Sequence, residues 1–116
     1  MTATLSTGRI LRGAFALAIG LALPATAQAQ DAKKGEAVYT AQKCSVCHSI
    51  AGVGNKNGSL DKVGAKLTVD DTRAWIVDAP GMAAKAKAAR KPPMKAYTTL
   101  AKEDLDALVA YMLSLK

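Results

Sequence analysis

Both cysteines of the 116-residue chain and its single histidine fall within five consecutive positions, Cys44-Ser45-Val46-Cys47-His48. On one turn of helix, positions i, i+3 and i+4 share a face, so two thiols and one imidazole there address a single object from the same side. Two sulfur tethers and one nitrogen ligand are what covalent attachment of a c-type haem requires, and Cys-x-x-Cys-His is the sequence form that attachment takes.

Three other chemistries compete for the pentapeptide. Structural zinc normally takes four protein ligands, and with no further thiol or imidazole the set cannot be completed. A thioredoxin-like dithiol expects a preceding strand within an α/β pattern, and no strand-like alternation is found anywhere after residue 29. A plain exported disulfide closes a loop of two residues, which constrains little of the unfolded chain. Haem attachment is the expectation, with the dithiol as its alternative.

Past this point the sequence resembles the small class I cytochromes c. Gly35-Glu36-Ala37-Val38-Tyr39 precedes the motif as a short amphipathic helix does in that family. The resemblance implies thioether bonds from Cys44 and Cys47 to one haem c per chain, with His48 as the proximal iron ligand. It also implies an all-α fold of three to four helices wrapped around the haem.

A second imidazole is not available for the sixth iron position, so methionine is the candidate, and beyond Met1 the choice is among Met82, Met94 and Met112. Met112 completes the series Leu105, Leu108, Val109 and Met112 at helical spacing, which reads as core. Met82 follows Pro80-Gly81, where a loop is expected. Met94 follows Pro92-Pro93, whose fixed φ and missing donors keep the chain out of helix. It also lies six residues before Leu100, as the ligand methionine does in many family members. Met94 is the expected sixth ligand, and Met82 stays as the alternative. Relatives often place proline directly after this methionine, whereas Lys95 stands there; a thioether filling an irregular core remains the plain reading of Met94.

The segment between the ligands, Gly52 to Gly64, is rich in glycine and asparagine and predicts an irregular wrap. The family usually has proline where Ser59 stands, and the resemblance implies that this residue's carbonyl accepts the imidazole N–H. Thr68-Val69-Asp70-Asp71 has the form of a helix start, with Thr68 as N-cap and Pro80 limiting the other end. That helix turns Trp75, Ile76 and Ala79 inward. Trp75 resembles the family's tryptophan beside the haem, whose indole reaches a propionate; an ordinary core tryptophan is the competing reading. A last helix is predicted over 102–115, with Ala101 where a capping Ser or Thr is expected. Tyr111 and Leu108 would cross the first helix near Gly35 and Tyr39.

Residues 1–29 read as a cleaved secretory signal: Arg9 and Arg12 without an acid, an apolar run from Gly13 to Leu23, then Pro24 and small residues. That run is roughly half of what spans a membrane, so no stable anchor is expected. Cleavage after Ala27 or, preferably, Ala29 would leave a domain of residues 30–116. This remainder has 25 apolar residues larger than alanine, only four aromatics, and a net charge of +5. So small a core commonly needs a disulfide, a metal or a cofactor to complete it.

Lys85, Lys87, Arg90, Lys91 and Lys95 lie within eleven residues, and no aromatics interleave with them as base stacking requires. Nucleic acid is therefore not an expected partner. The expected function is electron transfer in the bacterial periplasm, with redox proteins docking at the haem edge through acidic surfaces, and no enzyme activity. The alternative is a haem sensor, a peroxidase-like domain or a subunit of a larger redox enzyme, with a labile sixth ligand.

Overall fold

The computed structural model describes residues 25–116. The leader expected over 1–29 lies outside these residues except for its last five positions, which belong to the first helix.

Five α-helices are found among the described residues: α1 (Ala25–Ala41), α2 (Val63–Lys66), α3 (Val69–Val77), α4 (Ala79–Lys85) and α5 (Lys102–Ser114). Helices α1 and α5 cross closely, as the sequence pattern predicts. The crossing depends on Gly35, where a Cβ would overlap the Ala107 carbonyl and Cβ of Tyr111. Tyr39 and Tyr111 meet edge to face beside it, ring centroids 5.9 Å apart. Val38, Tyr39, Ile76, Leu108, Val109 and Met112 form one buried cluster, so the helical periodicity of α5 correctly placed Met112 in the core.

Thr68 caps α3 as expected, its hydroxyl oxygen accepting the Asp71 N–H at 3.1 Å. Pro80 does not limit that helix. α3 ends at Val77, and Asp78 then caps α4 by accepting the Gly81 N–H at 3.2 Å. Proline in a first turn forfeits no helical hydrogen bond, so here it starts a helix instead of ending one. Met82, expected in a loop, consequently lies within α4. α5 begins at Lys102 with Ala101 uncapped, and neither Thr98 nor Thr99 starts it earlier.

One element has no counterpart in the sequence pattern. Ser49–Ile50 (β1) pairs antiparallel with Val53–Gly54 (β2), joined by Ala51 and Gly52 at φ 49 and 80. Two residues per strand are too few to show alternation. Asp61 accepts the Ala51 N–H at 2.8 Å and fixes this hairpin against the wrap that follows.

Candidate functional site

The attachment pentapeptide follows α1 directly. Lys43 turns the chain through the left-handed region, φ 56, and Cys44–Val46 form a 3-10 turn. Backbone N–H groups of Cys47 and His48 both donate to the Cys44 carbonyl, at 3.1 and 2.9 Å. These bonds close the turn that puts the two thiols and the imidazole on one wall.

That wall bounds a cavity of about 640 Å³, within the range of sites that hold small molecules and cofactors, roughly 300–1,000 Å³. Cys44, Cys47, His48, Trp75 and Met94 all line it, although they come from the turn, α3 and the segment between α4 and α5. Met112 reaches it from the buried core. Met82 does not line it. Leu60, Val63, Leu67, Ile76 and Leu108 make much of the remaining wall apolar.

His48 Nδ1 lies 2.9 Å from the Gly58 carbonyl oxygen. A carbonyl only accepts, so Nδ1 carries the proton and Nε2 keeps its lone pair. Burial holds the His48 pKa below its usual value, and the Arg90 charge adds to this, while the Gly58 bond opposes it. A neutral imidazole is the form that binds a metal. Burial likewise raises the pKa of Cys44.

The acceptor is Gly58 and not Ser59, which corrects the expectation. Asn55 caps a second 3-10 turn, Lys56–Gly58, by accepting the Asn57 N–H at 3.0 Å. This turn aims the Gly58 carbonyl at the ring. Ser59, at φ −55 and ψ 130, is already extended and pairs with Ser49 in a parallel bridge.

Lys95 lies over the Tyr97 ring, 4.9 Å from its centroid, so its ammonium and the ring face attract each other. Two further residues of the site were not singled out from sequence. Tyr97 lines the cavity and its N–H donates to the Ile76 carbonyl at 2.9 Å. Arg90, counted there only as one of several basic residues, hydrogen-bonds the Cys47 carbonyl.

The donor set suits a tethered macrocycle better than a bare ion. Cys44 and Cys47 are free thiols on the wall of one largely apolar cavity. Among the described residues no group of three or more His, Cys, Asp or Glu side chains could hold a metal ion. The family model of Cytochrome c matches residues 32–116. The chain belongs to the cytochrome c family.

As a cytochrome c, it carries covalently attached haem c, and Cys44 and Cys47 have the spacing for that attachment. Haem-based electron transfer is the activity of the family, whose members are typically carriers and not enzymes. Comparisons with curated proteins and with solved structures yield no match. Among the described residues no helix is long and apolar enough to cross a membrane.

Proposed function

We propose that this cytochrome c is a periplasmic one-electron carrier whose iron is held between His48 and Met94. The observation that carries the reading is the convergence of Cys44, Cys47, His48 and Met94 on one cavity that Met82 does not reach. When bound, haem c supplies an iron that gains and loses a single electron.

The protein's own residues account for the rest. Cys44 and Cys47 would tether the macrocycle, so an iron ligand can dissociate without loss of the group. His48 offers Nε2 while the Gly58 carbonyl fixes its tautomer and strengthens its donation. Met94 offers a soft thioether sulfur, which favours ferrous iron and raises the reduction potential. With His48 and Met94 both holding the iron, no site on it would be left open to a substrate. Trp75, which lines the same cavity, would place its indole N–H for a propionate.

Redox partners would meet the protein where the cavity opens. Val46 lines the cavity and is 68% exposed, and Lys43, Arg90 and Lys95, also exposed, line it too. An acidic partner would be steered there, and salt would slow the encounter. Export follows from the reading of residues 1–29 as a cleaved leader.

Absorption spectra of the oxidised protein test the ligation. A sulfur-to-iron charge-transfer band is expected in wild type and Met82→Ala and is expected to vanish in Met94→Ala. A band that survives Met94→Ala overturns the assignment. Ready carbon monoxide binding by the reduced wild-type protein would favour the sensor or peroxidase-like reading. A pyridine haemochrome assay measures the haem content itself.

A further inference from the structure

Residues 86–101 lie between α4 and α5, contain no helix or strand, and carry Met94. Among the described residues, two hydrogen bonds tie positions 89–100 to other parts of the molecule. The Tyr97 N–H donates to the Ile76 carbonyl of α3 at 2.9 Å, after Met94 in the chain. The Arg90 guanidinium donates to the Cys47 carbonyl, before Met94. The two bonds bracket the methionine.

Arg90 does more than meet one carbonyl. A Cβ at Gly58 would overlap its guanidinium and the Cys47 carbonyl, so these three groups are packed together. Gly58 is also the residue whose carbonyl holds His48 Nδ1. One planar side chain from the Met94 segment therefore presses on both pieces of backbone that set the imidazole. Among the described residues no backbone N–H donates to the Cys47 carbonyl, so Arg90 is the donor that satisfies it. Lysine has the charge but lacks the rigid fork that bonds one group while lying flat against another.

We infer that Arg90 is a positioning residue, a clasp that holds the leading arm of the Met94 segment on the haem-attachment turn and thereby keeps the sixth ligand in place. The inference rests on His48/Met94 ligation as proposed above. It separates Arg90 from Lys85, Lys87 and Lys91, which are exposed and serve only the surface field. Loss of the clasp frees one of two anchors, so the segment should open locally while the α1/α5 core stays closed.

Exogenous imidazole binding to the oxidised haem-loaded protein reads the opening, and amide hydrogen exchange at Tyr97 and Val109 locates it. Arg90→Gln is expected to speed imidazole binding about tenfold, the scale of one hydrogen bond from a charged donor. Tyr97 exchange should rise with it, while Val109, buried in α5, is unchanged. Arg90→Lys should recover little of the loss, because charge alone is not the clasp. Wild-type behaviour of either variant overturns the inference. An equal rise at Tyr97 and Val109 also overturns it, because that is global destabilisation. Met94→Ala separates the two failures. If it leaves the sulfur band and imidazole binding unaltered, the ligation reading falls; if it abolishes the band while Arg90→Gln binds imidazole as wild type does, only the clasp falls.

Discussion

At Ala51 the chain holds an L-residue at φ 49, followed by Gly52 at φ 80, in the tight turn between β1 and β2. Two consecutive positive φ values match the right-handed twist of a two-residue hairpin, and asparagine-glycine is the pair that adopts them with least strain. Alanine in the left-handed region costs roughly 1 kcal/mol. Ala51→Asn is therefore expected to stabilise the protein by about 0.5–1 kcal/mol, measured as a higher thermal midpoint with an unaltered haem spectrum. An unchanged or lower midpoint would mean that the turn carries no strain worth relieving. The residue scale is also where the sequence was most and least informative. Five adjacent positions were enough to single out the expected tethers and one expected ligand, because no other thiol or imidazole exists in the chain. Which carbonyl meets that imidazole was not legible: Gly58 and Ser59 differ by one position, and the choice depends on a 3-10 turn set by the Asn55 side chain.

Helix contacts are the next scale, and α1 against α5 is the one that the sequence described best. Gly35, Tyr39, Leu108 and Tyr111 meet as their spacing predicts. Intrinsic propensity would favour Gly35→Ala by about 1 kcal/mol. The added Cβ would instead overlap the Ala107 carbonyl, backbone that moves only if α5 moves. A net loss of about 1–3 kcal/mol is expected, seen as a lower urea midpoint at unchanged slope; a gain would show that the crossing is looser than the structure has it. A polar link ties α3 to α5 as well. Asp106 accepts from Lys102 and from Arg73, each at 2.6 Å. Those two bonds, the one from Lys102 foremost, lower its pKa below the ordinary carboxyl value. A depressed folded pKa adds stability above the unfolded pKa, and that stability is lost as pH falls through the folded one. Asp106→Asn should thus lower the urea midpoint near neutrality and lose less of it on acidification than wild type. Parallel acid profiles for the two proteins would remove Asp106 from the acid response. The helix boundaries near Pro80 were misread because proline is compatible with both the position after a helix and the first turn of the next.

For the whole molecule, the cavity explains the composition. After residue 29 the chain has four aromatic residues, and its buried cluster amounts to Val38, Tyr39, Ile76, Leu108, Val109 and Met112. Four of those six, Tyr39, Ile76, Leu108 and Met112, also line the cavity. The core is consequently one-sided: α1 and α5 close one face of it, and the haem must close the other. Without the macrocycle, water would reach side chains whose burial the helices depend on, and a chain of this size has little surplus stability to absorb the loss. Cys44→Ser/Cys47→Ser, produced alongside a competent haem-attachment pathway, is accordingly expected to lose its cooperative urea transition and much of its far-ultraviolet helix signal. Each single serine variant keeps one tether and should fall between the double variant and wild type. A haem-free double variant that unfolded cooperatively from native helix content would show that the polypeptide closes the cavity by itself, and that the haem is a passenger in this fold instead of half its core.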